Sequence, residues 1–266
     1  MRRIPLWISA LFVLFAGTGR VLGFTLTDSN ARLIINTSEA FTTQEWTVDG
    51  EENLTGGSGY WFGVGSPLGT STTRTVAIQA EPNIMEVRYN FSNAFATVRY
   101  TLEGGPVGSG EATVTESVTL STYVHEWVQP LYLYNDYNLS STDIAMMDAA
   151  GSLAQYGGGR LLTITSTAAP LHYEAADRES LLTKFNGVPP LRLDDAPALG
   201  SIVSPASGDV ASALNWRFAV APRSYQTITT TKRLMRGTPS AIPEPGSVAL
   251  LATALVPVFV SRRRTT

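Results

Sequence analysis

Polar and apolar residues alternate with a period of two along most of the chain between its two apolar ends. Residues 85–91 alternate in this way, and residues 96–102 repeat the pattern after Asn93. Because successive side chains of a strand point to opposite faces of a sheet, the pattern predicts strands with one buried face. The two runs, with Asn93 between them, predict a β-hairpin.

The same pattern recurs further along the chain, with glycine and proline between the runs. It predicts strands over residues 112–120, 128–134, 160–165, 213–220 and 224–234. Pro130 lies inside one of these runs and requires a sheet edge or a bulge, because proline cannot donate to the strand ladder. The last two runs flank Ala221-Pro222-Arg223 and are predicted to form a closing hairpin. One helix is predicted over residues 177–185, followed by Gly187.

The predicted elements define the fold class. About ten to twelve short strands with almost no helix predict an all-β fold, an antiparallel β-sandwich of jelly-roll type. No low-complexity linker divides residues 24–236, so they are predicted to form one domain. The chain shows no repeat of 20–50 residues, which disfavours a propeller or a solenoid.

Composition supports a folded, exported body and excludes several functions. Hydrophobic residues make up 44% of the chain and charged residues 15%, enough apolar material for a core. Without the charged residues of its two ends, the chain carries 13 basic and 21 acidic residues, which argues against nucleic-acid binding. The absence of cysteine excludes thiol catalysis, cysteine-ligated zinc and iron–sulfur clusters. It is also typical of an exported bacterial protein.

The N-terminal end has the three parts of a secretory signal peptide. Arg2 and Arg3 precede residues 4–16, an uncharged and mostly apolar run, and small residues follow up to Gly23. Residues 1–23 are therefore predicted to be a signal peptide that is cleaved after Gly23. The alternative is an N-terminal membrane anchor, for which the apolar run is short.

The C-terminal end also has three parts in a fixed order. The first is a Pro-Glu-Pro motif, formed by Pro243, Glu244 and Pro245. An uncharged apolar run follows at residues 248–260, and the third part is a basic cluster of Arg262, Arg263 and Arg264. The prolines keep the motif extended and accessible. The apolar run can enter a membrane as a helix, kinked at Pro257, while the arginines stay on the cytoplasmic side. An exported chain would therefore present its Pro-Glu-Pro motif at the outer face of the inner membrane.

Together these parts resemble a PEP-CTERM sorting domain. The resemblance covers residues 243–266, preceded by a linker of residues 237–242. It implies processing by an exosortase-type membrane enzyme in a Gram-negative bacterium that makes extracellular polysaccharide. It also implies transient anchoring in the inner membrane and export to the cell surface or extracellular matrix. It implies no fold or activity for the body, and an ordinary tail helix packed on the domain is the alternative.

Catalytic and metal-binding residues are not predicted. The only histidines are His125 and His172, no Gly-x-Ser-x-Gly elbow accompanies them, and neither has a second metal ligand at a usual spacing. Three acid pairs could support glycoside hydrolysis, namely Asp194 with Asp195, Glu174 with Asp177, and Glu51 with Glu52. Acid pairs on loops are, however, usually solvated. The run 135–138 and Asp194-Asp195 could donate oxygens to calcium, although Asx turns explain such runs equally simply. The predictions are no catalytic residue, no cofactor and no metal.

Aromatic residues supply the remaining candidates for a binding site. Tyr60 and Trp61 follow a glycine-rich stretch, and Tyr134 and Tyr137 flank Asp136. If exposed, such rings could stack on the faces of sugars, with Asn and Asp side chains nearby. Aromatic residues on strands also form cores, and this is the expectation for the tryptophans of the body, which are Trp46, Trp61, Trp127 and Trp216.

These observations predict an exported, non-enzymatic surface or matrix protein associated with extracellular polysaccharide. The alternative is a secreted carbohydrate-binding module or carbohydrate-active enzyme. Acid pairs that face each other across an aromatic-lined cleft would favour the enzyme. Burial of every tryptophan and absence of a cleft would disfavour both sugar-directed functions.

Overall fold

The computed structural model describes residues 23–37, 42–53, 57–63, 66–67, 74–148, 151–187, 191–205 and 207–236. The predicted signal peptide up to residue 22, the linker and the sorting tail lie outside the described residues. The described strands are β1 (Gly23–Asp28), β2 (Ala31–Asn36), β3 (Thr43–Val48), β4 (Glu51–Glu52), β5 (Gly57–Phe62), β6 (Ser66–Pro67), β7 (Arg74–Glu81), β8 (Ile84–Asn90), β9 (Ala94–Gly104), β10 (Ala112–Thr122), β11 (Trp127–Asp136), β12 (Ile144–Met147), β13 (Leu153–Gly157), β14 (Arg160–Ser166), β15 (His172–Asp177), β16 (Ile202–Val203), β17 (Val210–Val220) and β18 (Tyr225–Arg236), and the described helix is α1 (Arg178–Asn186).

The strands form two antiparallel sheets that pack face to face. Sheet I has the order β1-β2-β3-β5-β11-β17-β15, with β4 on β3 and β6 on β5, and sheet II has the order β16-β12-β13-β14-β18-β10-β9-β8-β7. One hydrophobic core contains Leu33 and Leu133 of sheet I together with Val87 and Val98 of sheet II. The predicted all-β sandwich is therefore confirmed.

Strict alternation sets the two faces of sheet II. Along β10 every second residue from Ala112 is buried, while the threonines and serines between them are half-buried. The predicted hairpin around Asn93 is confirmed as β8 and β9, whose register pairs Val87 with Val98. One face of sheet II therefore fills the core, and the polar residues lie on the other face.

The strand connections differ from a jelly roll. In sheet II, β7, β8, β9 and β10 follow one another as a meander, and β12, β13 and β14 form a second meander. A jelly roll is instead built from two Greek keys. The jelly-roll part of the prediction is wrong, because alternation identifies strands without identifying their neighbours.

The predicted closing hairpin is also wrong. β17 lies in sheet I between β11 and β15, whereas β18 lies in sheet II between β14 and β10. The turn closed by the hydrogen bond from Ser224 N to Ala221 O (3.2 Å) carries the chain across the sandwich. The two strands bury their apolar residues against the same core from opposite sides, so they are not paired with each other.

Pro130 lies at a local sheet edge, as predicted. From Trp127 to Pro130, strand β11 pairs only with β17, and its pairing with β5 begins at Leu131 opposite Phe62. The missing N–H of proline therefore does not interrupt a ladder on the β5 side.

The predicted helix is confirmed as α1. Asp177 is its N-cap, and the carboxylate accepts hydrogen bonds from the backbone N–H groups of Glu179 (3.1 Å) and Ser180 (3.4 Å). The helix ends at Asn186, directly before Gly187. It is too short and too polar to cross a bilayer.

Replacing Asp177 with alanine is expected to lower the free energy of unfolding by about 1 kcal/mol, because two N–H groups of the first turn lose their acceptor. Urea denaturation of the variant and the wild type measures the difference. Asp177→Asn is the matched control, since asparagine caps a helix about as well. A loss as large in Asp177→Asn as in the alanine variant would contradict the capping role.

A third layer covers the outer face of sheet I. This helix layer, α1 with residues 191–196, packs on the central strands through a second hydrophobic cluster, which contains Trp61, Tyr132, Tyr134, Leu181, Phe185, Leu191, Leu193, Ala211 and Ala213. The Trp61 and Phe185 rings lie 4.8 Å apart, centroid to centroid. In the described part of the chain no helix or strand packs on the outer face of sheet II.

Candidate functional site

The four aromatic residues predicted to contact a ligand are all buried. Tyr60 and Tyr137 belong to the core between the sheets, and Trp61 and Tyr134 belong to the helix-layer cluster. None is more than 2% exposed, so none offers a ring face to solvent. The physical reason is that β5 and β11 are central strands covered on both faces. The sugar-stacking platform suggested for these residues is not formed by them.

The tryptophans of the body follow the core expectation in three cases. Trp46, Trp61 and Trp216 are at most 2% exposed. Trp127 is half-buried and packs on Phe62 and Phe91, with centroid distances of 5.0 and 5.2 Å. The large aromatic side chains noticed first in the sequence are therefore structural.

The acidic clusters are bound to groups of the protein itself. Glu174 and Asp194 both accept hydrogen bonds from the Lys184 ammonium, and the Asp195 carboxylate lies 2.9 Å from His172 Nδ1. Glu51 lies 3.4 Å from the Arg160 guanidinium, and both Glu51 and Glu52 are exposed. Within the described ranges no group of three or more metal-ligating side chains comes together. These contacts tie the helix layer to sheet I, with the Lys184 ammonium between the Glu174 and Asp194 carboxylates.

Asn135 and Asp136 point to opposite faces of sheet I. The Asn135 side chain faces the core, where its Oδ1 accepts a hydrogen bond from Ser58 Oγ (3.0 Å). The Asp136 carboxylate faces the helix layer and accepts a hydrogen bond from Arg178 Nε (2.7 Å). Neighbouring residues of a strand cannot share one cation on one side of the sheet, so the Asn135 and Asp136 side chains do not act together as ligands.

Asp136 gives the protein a pH-dependent element. Burial raises the pKa of its carboxyl to about 6, although Arg178 opposes the shift. Because the folded pKa lies above the unfolded carboxyl's value of 3.8, the contribution of Asp136 to stability is fully present only below pH 3.8 and is lost as the pH rises through 6. Relative to the wild type, Asp136→Asn is expected to gain about 2 kcal/mol of unfolding free energy between pH 4 and pH 7. Urea denaturation of both proteins at the two pH values tests this, and parallel pH profiles would contradict it.

The outer face of sheet II is a regular polar surface. Threonine occupies ten outward positions on four neighbouring strands, which are Thr97, Thr101, Thr113, Thr115, Thr119, Thr163, Thr165, Thr227, Thr229 and Thr231. Their hydroxyls bond across the strands, as between Thr119 and Thr227 (2.8 Å). Such a face is flat and rich in hydroxyl groups.

Aromatic side chains stand at one end of this face. One residue from each of four neighbouring strands lies in register here: Tyr225 of β18, Ser121 of β10, Phe95 of β9 and Asn90 of β8. Tyr225 is 75% exposed, and Tyr123, just beyond the end of β10, is 43% exposed. Two strand spacings separate Tyr225 from Phe95, about 10 Å, with only the small Ser121 between them. We call Phe95, Tyr123 and Tyr225 the aromatic end.

Arg88 is held beside the aromatic end. Its guanidinium carbon lies 3.7 Å from the centroid of the Phe95 ring. Its Nε donates to Asn90 Oδ1 (3.2 Å) and its Nη2 to the Tyr123 hydroxyl (3.3 Å). Among the residues that the structure describes, no carboxylate approaches Arg88 within ion-pairing distance. The arginine is therefore oriented without being neutralised.

An open depression lies next to Arg88. It has a volume of about 420 Å³ and is lined by Val76, Ile78, Glu86, Arg88 and Asn90. The aliphatic residues come from the edge strand β7, and the polar residues from β8. Apolar walls with a few polar groups are the usual composition of a small-molecule site.

The sequence contained a signal for this site. Phe95 lies between the buried Ala94 and Ala96, so its ring falls on the polar side of an alternating strand. Tyr225 falls on the outward side of β18 in the same way, since Ile228 and Thr230 are buried. A large aromatic residue at a position where alternation predicts a polar one indicates an exposed ring.

The class of protein defined by this architecture is a two-sheet antiparallel sandwich in which the described helix covers the outer face of one sheet. Among solved structures, the Slr1438 protein of Synechocystis sp. PCC 6803 shares the fold with a TM-score of 0.55, at 10% identity over 82% of this chain and 97% of that protein. A bacterial glucoamylase, solved in complex with acarbose, has a TM-score of 0.52 at 8% identity; the match covers 92% of this chain but only 37% of the glucoamylase. Identities this low show a common fold and nothing more. No protein-family model matches the chain, and no curated protein matches its sequence.

Proposed function

We propose that this is an exported, non-enzymatic protein of the cell surface or extracellular matrix that binds polysaccharide through the aromatic end of sheet II. The observation that carries the proposal is the exposure of Tyr225 and Tyr123 beside a fixed, un-neutralised Arg88. They lie on the sheet face that no described element covers.

The chemistry of the face fits a sugar chain. The C–H faces of pyranose rings stack on aromatic rings, and tyrosine offers such a ring with a polar edge. The Arg88 guanidinium donates in a fixed fork, which suits sugar hydroxyl groups and the carboxylates of acidic sugars. The neighbouring depression, at about 420 Å³, lies within the range of small-ligand sites. Threonine hydroxyls extend the polar surface along the sheet.

The carboxylates favour binding over hydrolysis. Glycoside hydrolysis ordinarily uses two carboxyl groups flanking the scissile bond. Of the residues that line the depression, Glu86 alone carries a carboxylate. The fold shared with a glucoamylase is compatible with either function. Binding is preferred because the lining of the depression has a single carboxylate.

Replacing Tyr225 with alanine is expected to weaken binding to the host's extracellular polysaccharide about tenfold, equivalent to roughly 1.4 kcal/mol. The side chain is 75% exposed, so the fold is expected to be unaffected. Affinity electrophoresis of the full chain against a panel of neutral and acidic polysaccharides measures the change. Two variants are the controls. Tyr225→Phe keeps the ring, and Val107→Ala changes an exposed side chain between β9 and β10. Wild-type affinity of Tyr225→Ala would contradict the proposal.

The route to the surface belongs to the same proposal. The signal peptide exports the chain, and an exosortase-type enzyme reads residues 243–266 at the inner membrane. The order of the Pro-Glu-Pro motif, the apolar run and the terminal arginines supports this route. Mass spectrometry of the C-terminal peptide from the host's surface fraction tests it. A chain ending near Pro245 is the expected result, and a chain that retains Arg262 to Arg264 would contradict sorting by that enzyme.

A further inference from the structure

A line of four polar side chains crosses the core between the sheets. Lys232 Nζ lies 2.7 Å from Glu116 Oε1 and donates to Ser58 Oγ at 2.8 Å. Ser58 Oγ donates in turn to Asn135 Oδ1 at 3.0 Å. Each of the four residues is at most 1% exposed. The line runs from β18 and β10 of sheet II to β5 and β11 of sheet I.

The lysine in this line has the surroundings of a nucleophile. Burial lowers the pKa of the Lys232 ammonium, although Glu116 opposes the shift, and a desolvated amine is more readily deprotonated. The Glu116 carboxylate is in direct contact and can accept the proton. Its second oxygen accepts a hydrogen bond from the Tyr60 hydroxyl (2.7 Å), which holds the carboxylate in place.

Asn135 has the surroundings of an acceptor for that amine. The Ser58 hydroxyl polarises its carboxamide carbonyl. Its Nδ2 is buried and, in the described part of the chain, has no hydrogen-bond partner, so no contact holds the amide nitrogen back. One hydroxyl separates the amine from the carboxamide oxygen, which places the two within about 6 Å. The proposed reaction therefore requires the Ser58 and Lys232 side chains to rotate so that Nζ reaches Asn135 Cγ.

We propose that Lys232 and Asn135 join in an intramolecular amide bond, with Glu116 as the catalytic acid–base residue. The lone pair of the neutral Nζ attacks Asn135 Cγ, and the Nζ–Cγ bond forms. Glu116, which has taken the first proton from the Lys232 ammonium, delivers that proton to Nδ2 and then takes the second proton from the attacking Nζ. The Cγ–Nδ2 bond then breaks, and ammonia leaves. The reaction is an amide exchange that needs no oxidant, reductant or co-reactant.

The bond would link the two sheets covalently. β18 is a central strand of sheet II, and β11 is a central strand of sheet I. A chain without cysteine has no disulfide with which to join its sheets. The amide bond therefore gives a surface protein the resistance to unfolding and proteolysis that disulfides give to other exported proteins. This inference does not depend on polysaccharide binding.

The test is the mass of the purified full chain after folding, under denaturing conditions and at isotopic resolution. The expected mass is that of the chain less one molecule of ammonia. After tryptic digestion, residues 100–160 and 224–233 should be recovered as one branched peptide, because a modified Lys232 resists trypsin. Fragmentation should place the branch at Asn135. Separate peptides from folded wild-type protein would overturn the proposal, as would a branch at Glu116 with loss of water.

Variants of Glu116 and of the two lysines test the role proposed for each residue in forming the amide bond. Glu116→Gln keeps the nucleophile and the acceptor but removes the base, so it should retain the full mass of its sequence. Lys232→Arg should do the same, whereas Lys184→Arg, at the other lysine of the chain, should still lose ammonia. A branched peptide in Glu116→Gln would overturn the role of Glu116. Because the wild-type mass decides whether the bond exists, a variant that fails to fold does not affect that result.

Discussion

Replacing Glu116 with alanine is expected to lower the free energy of unfolding by about 3–5 kcal/mol. Lys232 and Glu116 are each 1% exposed, so the variant leaves a lysine in the core without its carboxylate. The Tyr60 hydroxyl also loses its acceptor. Removing one partner of a buried pair has a larger effect than the net strength of the pair, because the remaining group is desolvated and unpaired.

Chemical denaturation of the variant and the wild type measures this loss. The double variant Glu116→Leu with Lys232→Met is expected to recover the part of this loss that comes from the unpaired lysine, since apolar side chains can replace a buried pair. The part contributed by the proposed amide bond is not recovered, because the variant has no amine at position 232. Glu45→Ala is the surface control. It removes the partner of Arg32 in a pair whose side chains are 47% and 28% exposed, and the expected change is under about 1 kcal/mol. A Glu116→Ala variant as stable as Glu45→Ala would contradict the account of the core.

Replacing Trp61 with alanine is expected to lower the free energy of unfolding by about 3–5 kcal/mol and to leave polysaccharide affinity unchanged in the folded protein. Trp61 is 1% exposed, and its ring contacts Phe185 and Tyr134 at 4.8 and 6.0 Å. The variant opens a cavity between sheet I and the helix layer, on the opposite side of the molecule from the aromatic end.

Tyr225→Ala is the matched comparison, because the opposite combination of effects on stability and affinity is expected. It should lose affinity and change stability by less than about 0.5 kcal/mol, as exposed substitutions usually do. Thermal unfolding and affinity electrophoresis on both variants separate the two effects. If Trp61→Ala kept wild-type stability and lost binding, Trp61 would belong to the ligand site and the helix layer would have to be open in solution.

Alternation was sufficient to predict the sandwich and seven of its strands. It identified β8, β9 and β10 because each has one buried and one solvated face, and the helix α1 had its own spacing and cap. It did not assign β17 and β18 to different sheets, because the buried face of a strand looks the same from either side of a core. The jelly-roll topology failed for the same reason.

The binding residues were harder to predict because exposure depends on the layers. Tyr60 and Trp61 lie in β5, which is buried along its whole length, and a continuous apolar run does not reveal what covers each face. Sequence patterns gave no sign that α1 lies on sheet I. Phe95 and Tyr225 occupy outward positions of alternating strands, so the pattern places their rings outside the core.

The buried ion pair of Lys232 and Glu116 is also indicated by the sequence. Lys232 follows Ile228 and Thr230 at the buried positions of β18, and Glu116 follows Ala112 and Val114 at the buried positions of β10. Both charges therefore fall where alternation predicts apolar side chains. Two opposite charges at such positions on neighbouring strands indicate a pair inside the core, which composition and net charge do not reveal.

Hydroxyl-radical footprinting of the full chain, with and without saturating extracellular polysaccharide from the host, tests the central claim most directly. Tyr123 and Tyr225 are exposed in the free protein, and a ligand stacked on the aromatic end would shield them from oxidation. Both tyrosines are expected to become several-fold less reactive, while the exposed Val107 and Leu199 keep their reactivity. Polysaccharide binding with unchanged oxidation of Tyr123 and Tyr225 would contradict it.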